Sequence, residues 1–149
     1  MNRLTSLAVF LLCISLVTGC ERKPEELEVW RSSEGGYEKL LGWAGSADEP
    51  TPVRVRAIQI LLEDGQANSM QPLFDAVEPP EMRQTLVAGA LPTVEAMWSA
   101  QDMPRLTAEV KKEGGRVVIG ESKSVKAKDA AFFLQPYAGP AEKEKLEKI

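Results

Sequence analysis

The sequence contains no histidine. This absence excludes Ser-His-Asp triads, Cys-His dyads and histidine metal sites in one step. No glycine-rich phosphate loop or metal-ligand spacing takes their place, and the pair Gly114-Gly115 is typical of a turn. We therefore expect no metal and no other cofactor, and the sequence favours a binding protein over an enzyme.

The apolar run at the start of the chain is too short for a membrane helix. Met1 to Arg3 form a short basic beginning, and an almost unbroken apolar run extends from Leu7 to Val17. Spanning a bilayer takes about 20 apolar residues. The run therefore fits the core of an export signal, which small residues at Thr18 and Gly19 close.

The segment Val17-Thr18-Gly19-Cys20 resembles the lipobox of bacterial lipoproteins. In that motif an aliphatic residue, a small or β-branched residue, and Gly or Ala precede the cysteine, and all four positions match. The resemblance implies cleavage before Cys20 and a lipid with acyl chains such as palmitate on its sulfur, because a thiol is the best available nucleophile for taking up the lipid group. The alternative is an ordinary signal peptide in which Cys20 is incidental.

The cysteine count then bounds the mature chain. Of the two cysteines, Cys13 lies inside the leader and Cys20 would be acylated. The domain would have neither a disulfide nor a free thiol, although its compartment permits disulfides, and it must be stabilised by packing. We expect a signal peptide over residues 1–19, a charged tether over residues 20–34, and one domain over residues 35–149. A short helix through Trp30 is one way for the tether to end.

The charge is mildly acidic. One of the 18 basic residues is Arg3, in the leader, so 17 remain against 22 acidic residues, a net charge of −5. An acidic domain is a poor partner for nucleic acid and has no polybasic belt for anionic lipids. Lipid would therefore hold the protein to a bacterial membrane, facing the periplasm or the cell surface. In lipoproteins of this kind, an Asp directly after the cysteine is linked to inner-membrane retention. This chain has Glu21 there, so the resemblance favours the outer membrane.

Apolar spacing and turn residues predict a series of helices, and Gly65 fits the C-cap of the second of them. Pro92 predicts a kink or break in the longest. The run Val117-Val118-Ile119 fits either a short strand or the start of a helix. The predicted helices cover residues 37–44, 53–64, 68–77, 81–100, 103–112, 124–138 and 141–149.

Three of these helices begin alike, with an aliphatic residue followed by a basic one. The pairs are Val53-Arg54, Met82-Arg83 and Val125-Lys126. This arrangement resembles HEAT repeats, antiparallel helix pairs stacked into a solenoid. The resemblance implies an all-α fold, a short α-solenoid of about three pairs. The first unit matches best, because it has the small residue Ala57 at the position where the pattern has alanine. At the equivalent positions the second and third units have Leu86 and Asp129.

The helix over residues 53–64 is apolar around most of its circumference, so several of its sides should be buried. Its polar residues Arg56, Gln59 and Glu63 fall on one narrow line, which we expect to face solvent. This line is the candidate binding face for a protein partner.

Other residues admit two interpretations. Arg54, Arg83 and Lys126 could form a ligand-binding row, but the resemblance favours bonds to acidic or carbonyl groups of a neighbouring unit. Trp43 and Trp98 could line a pocket, but their spacing favours the core. Trp30, near the tether, could be a wedge against the domain or the membrane surface.

Paired carboxylates, Asp48-Glu49 and Glu63-Asp64, could perform acid–base chemistry, although capping and solvation explain residues at helix ends. Three functions therefore stay open. The first is a non-catalytic interaction module that holds an envelope protein. The second is a carboxylate-dependent hydrolase of envelope polysaccharide. The third is a lipoprotein that only braces a larger complex.

Overall fold

The computed structural model describes residues 22–100, 110–113, 116–119 and 123–149, and it describes side chains within 22–100 and 125–149. The leader, Cys20 and the predicted helical residues 103–109 lie outside this part of the chain. The described chain is helical apart from one pair of strands. Its α-helices are α1 (Gly36–Gly45), α2 (Thr51–Glu63), α3 (Gln71–Ala76), α4 (Pro80–Ser99), α5 (Lys123–Leu134) and α6 (Pro140–Leu146), with 3-10 helices at Pro24–Ser32, Ala67–Met70 and Gln135–Tyr137.

Helix α2 begins and ends where its local sequence predicts. Pro52 occupies the first turn, where its missing N–H would have had no intrahelical partner. At the other end Gly65 adopts φ +75°. The Gly65 N–H donates to Leu62 O at 3.0 Å and the Gln66 N–H to Leu61 O at 2.8 Å, the pair of bonds of a Schellman motif. The predicted C-cap at Gly65 is confirmed.

Helix α4 continues through Pro92. The sequence predicted a kink or break there, because proline removes the bond to Ala88. The helix is not interrupted, and Pro92 itself is exposed to solvent. On the buried side of the same helix, Leu91 before the proline and Val94 after it both belong to the core. Their packing stabilises the helix on both sides of Pro92.

The two strands are β1 (Val110–Glu113) and β2 (Arg116–Ile119), paired antiparallel with Val110 opposite Ile119. The strand alternative for residues 117–119 is therefore confirmed. The predicted helix over residues 103–112 is wrong at its C-terminal end, which is strand. The two strands flank Gly114-Gly115 in the sequence, and a two-residue glycine connection favours an antiparallel hairpin over a helix.

The core runs through the interfaces between helices that follow one another in space. Helix α2 packs on α1 and α4, and α4 packs in turn on α5 and α6. Helices α2 and α4 approach closely at Gly89, where an added Cβ would stand 2.6 Å from Val55 Cγ2. The largest fully buried side chains include Leu27, Leu40, Ile58, Ile60, Leu61, Leu62, Met70, Phe74, Leu86, Leu134 and Leu146.

The segment predicted as a tether is largely part of the folded domain. Pro24–Ser32 forms a 3-10 helix that packs on α1 and α2. Leu27, an apolar residue inside this charged run, is completely buried. Burying a leucine stabilises by about 1.5–3 kcal/mol, which is enough to dock a short segment that charge alone would leave solvated. The tether expected over residues 20–34 is thereby shortened to the residues before Pro24.

Candidate functional site

The three residues of the candidate binding face lie together on α2, but they are only partly exposed. Arg56 donates to Glu28 Oε2 at 2.7 Å and to Gln59 Oε1 at 3.2 Å. Gln59 donates to the carbonyl oxygen of Gly89 at 3.0 Å. The line was expected to face solvent. Instead the N-terminal 3-10 helix and α4 border it on two sides, and its polar groups are satisfied within the protein.

Arg31 is the centre of the charge network at the end of α2. Its guanidinium forms ion pairs with Glu28, Glu63 and Asp64, the last at 3.1 Å. Burial by itself would lower the pKa of Arg31, but the hydrogen bond to Glu63 and the charges of Asp64 and Glu28 outweigh it and raise that pKa above its ordinary value. Arg31 therefore stays charged and fixes the 3-10 helix to α2.

An open groove of about 480 Å³ lies beside this network. Charged side chains form part of its lining, namely Arg31, Glu63, Asp64 and Lys126, and the second half of α4 supplies the rest. The α4 residues are Pro92, Thr93, Ala96, Met97 and Ala100. A lining that combines a small apolar strip with a few polar groups matches the usual composition of a binding groove. Of the candidate binding face, Glu63 lies on this groove.

The basic residues of the three similar helix starts donate to backbone carbonyls at the ends of other helices. Arg54 Nε bonds Ala44 O at 3.1 Å, Arg83 Nε bonds Val77 O at 2.7 Å, and Lys126 Nζ bonds Glu63 O at 3.4 Å. The last carbonyls of a helix have no intrahelical partner and carry partial negative charge, so cations stabilise them. The structural interpretation of these residues is confirmed, and Lys126 in addition lies on the groove.

Arg54 is the most deeply placed of the three, with 4 % of its surface exposed. Desolvation lowers the pKa of its guanidinium below the ordinary value. An arginine this buried has no surface from which to contact a ligand. Its function is to join α1 to α2.

The tryptophans are all half-buried. Trp30 and Trp43 meet edge to face, with ring centroids 5.4 Å apart, and both pack against the core. Trp30 is thus a wedge between the N-terminal 3-10 helix and the domain, which was one of the two alternatives for it. Trp98 lies under the ammonium of Lys128, 5.4 Å from its ring centroid. These contacts favour packing over a tryptophan-lined pocket.

Three of the four paired carboxylates have cationic partners. Glu49 pairs with Arg22, and Glu63 and Asp64 pair with Arg31. Asp64 also accepts from Tyr37 Oη at 3.1 Å, and burial together with this bond raises the pKa of the tyrosine. Within the described residues no cluster of three or more acidic or cysteine side chains could hold a metal ion.

The groove is not apparent from the sequence, because the residues that line it lie in separate segments of the chain. Arg31 stands in a charged run that resembles a solvated tether, and Met97 was one apolar residue among many on α4. The available signal was Leu27, because a leucine inside a charged run indicates a segment that docks rather than one that stays free. The partner of Arg31, Asp64, lies 33 residues away along the chain, and local spacing does not predict such a pair.

Comparison of the chain with protein-family models, with curated proteins and with solved structures finds no match. Among the described helices, none combines the length and the hydropathy needed to cross a bilayer. The lipobox-like segment, the helical packing and the groove are therefore the features of this chain that bear on its function.

Proposed function

We propose that this chain is a bacterial lipoprotein, anchored through lipid on Cys20, whose helical domain is a non-catalytic interaction module of the cell envelope. The observation that carries the binding part is the groove, whose lining combines an apolar strip of α4 with the charged residues Arg31 and Lys126. Peptide segments with an apolar anchor and flanking charges suit such a groove. The carboxylates in its lining, Glu63 and Asp64, are held in ion pairs with Arg31, so a hydrolase has less support.

We further propose a short HEAT-like solenoid as the architecture of the domain. Helices α1, α3 and α5 would form one layer, and α2, α4 and α6 the other. Contacts of α2 with α4 and of α4 with α6 support the second layer, and the contact of α1 with α3 supports the first. Helix α5 also contacts α2, and α3, which lies between them in the sequence, has only 6 residues.

Anchoring is tested by replacing Cys20 with serine. The wild-type protein should begin at Cys20, carry acyl chains in its intact mass, and partition into detergent. Cys20→Ser should retain the leader or release an unacylated protein, since a hydroxyl is a much weaker nucleophile than a thiol. An unmodified Cys20 on secreted wild-type protein would contradict the proposal.

Binding is tested by placing a photo-activatable amino acid at Ala96, an exposed residue of the groove. Illumination of cells should give one discrete cross-linked product, because a partner in the groove lies within reach of the probe. The matched control is the same probe at Ala141, exposed on α6 and outside the groove. Equal products from both positions, or none from Ala96, would argue against the groove as the binding surface.

A further inference from the structure

Arg22 is held at one corner of the domain. Its guanidinium forms an ion pair with Glu49 and lies 4.2 Å from the ring centroid of Trp43. Trp43 in turn packs on Trp30. Because two independent contacts hold the side chain, the backbone at Arg22 is tied to the end of α1 and the start of α2. We call Arg22, Lys23, Trp43 and residues 46–50 the anchor corner.

The chain between this corner and Cys20 is very short. Cys20 precedes Arg22 by two residues, and two trans peptide units span at most about 7 Å. A lipid on Cys20 must therefore enter a bilayer within about 7 Å of the backbone of Arg22, plus the length of the cysteine side chain. A flexible tether of residues 20–34 would instead have allowed the domain to turn freely and to stand away from the membrane.

We infer that the anchor corner rests directly on the lipid surface, so that the domain has one fixed orientation on the membrane. The inference rests on the lipidation of Cys20 proposed above. The partner is the bilayer to which Cys20 is attached, and the surface that meets it is the turn between α1 and α2 with Arg22 and Trp43. Tryptophan is favoured at the level of lipid headgroups, where its ring is partly in apolar surroundings and partly in water.

The charges of the corner permit this contact. Asp48 and Glu49 balance Arg22 and Lys23 within the corner, and Glu21, the next residue toward Cys20, adds one negative charge. The face that meets the lipid is therefore close to neutral, and a bilayer of either surface charge is not strongly repelled at this point. The contact needs no anionic lipid, because the acyl chains provide the affinity.

The groove lies at the opposite end of α2 from the anchor corner. Helix α2 starts at the anchor corner and has 13 residues, so its far end lies about 20 Å away. Glu63 and Asp64 at that far end line the groove. Helix α4 runs in the same direction, since Gly89 lies beside Val55 while residues 92–100 lie beside Asp64. A partner in the periplasm or outside the cell would therefore reach the groove without meeting the membrane.

The test measures the distance of two points of the lipidated protein from the bilayer. The chain beyond Cys20 contains no other cysteine, so Ala47→Cys at the anchor corner and Ser99→Cys at the end of α4 can each carry one thiol-linked fluorophore. Both residues are exposed. In vesicles of phosphatidylcholine with a fraction of headgroup spin-labelled lipid, fluorescence quenching should be several-fold stronger at position 47 than at position 99. Equal quenching, or stronger quenching at position 99, overturns the inference.

A linker separates orientation from anchoring. Inserting 20 Gly/Ser residues between Glu21 and Arg22 adds a coil with an average span of about 25 Å, and the contrast between the two positions should then collapse. A contrast that persists would show that the short chain does not set the orientation. Intact mass and flotation with the vesicles are measured on the same samples. A protein without acyl chains that stays in solution refutes the proposed lipidation, whereas an acylated, floating protein with equal quenching refutes the orientation alone.

Discussion

Replacement of Leu61 by alanine is expected to lower the free energy of unfolding of the domain by about 2–5 kcal/mol. Leu61 is completely buried in α2, the helix that α1, α4 and the N-terminal 3-10 helix all contact. Removal of the side chain leaves a cavity between α2 and these three elements. The cavity closes only if the elements move together, because the core is close-packed. Urea denaturation of the non-lipidated chain, followed by far-ultraviolet circular dichroism, measures the change.

The control for this change is Val29→Ala, which also removes aliphatic carbons but at a position with 62 % of its surface exposed. Its effect should stay within about 0.5 kcal/mol. A nearly neutral Leu61→Ala would mean that α2 is not the central helix. An equal loss in both variants would mean that the 3-10 helix around Val29 is packed differently.

Local signals in the sequence were sufficient for the helices of the first half. The apolar spacing over residues 37–44 and 53–64 predicted α1 and α2 to within two residues at each end. Gly65 predicted the end of α2, because only a residue that tolerates positive φ closes a Schellman motif without strain. These predictions depend on neighbours in the chain, so a single sequence contains the information.

Contacts between residues far apart in the chain could not be predicted from these local signals. The sequence predicted helix for residues 110–112 because lysine is a good helix former, yet pairing with β2 makes them strand. Lys126 was assigned a bond to a neighbouring unit, and its acceptor at Glu63 lies 63 residues away. The sequence indicated what kind of group Lys126 would bind. It did not indicate that α5 reaches past the short helix α3 to the end of α2.

The candidate face on α2 also shows the difference between what local spacing predicts and what distant contacts decide. Helical spacing correctly brought Arg56, Gln59 and Glu63 onto one line. It did not predict that Glu28 and Arg31 would bind two of them from a segment that resembled a tether. Because Arg56 and Glu63 form ion pairs with Glu28 and Arg31, we expect a charge reversal of both residues to lower the stability of the domain as well as any partner binding. The position of Ala96, without a charged partner to lose, makes it the cleaner probe of binding.

Replacement of Gly36 by alanine is expected to destabilise the domain by about 3 kcal/mol or more, the upper range for overpacking. Gly36 begins α1, and an added Cβ would overlap the backbone carbonyl oxygen of Trp30. A backbone atom cannot rotate away as a side chain can, so the 3-10 helix Pro24–Ser32 would have to shift as a unit. The shift would expose Leu27 and separate Trp30 from Trp43. Thermal melting and the rate of tryptic cleavage after Arg31, which rises when the segment opens, measure the effect.

The matched control lies in the same helix and should change stability in the opposite direction. Gly42 is in the interior of α1, and an added Cβ there meets no other atom within 4 Å. Gly42→Ala should therefore stabilise the domain by about 0.5–1 kcal/mol, because alanine loses less conformational freedom in a helix. Equal stability of the two variants would contradict the close contact between Gly36 and Trp30. A destabilised Gly36→Ala with an unchanged cleavage rate after Arg31 would place the strain inside α1 and leave the 3-10 helix docked.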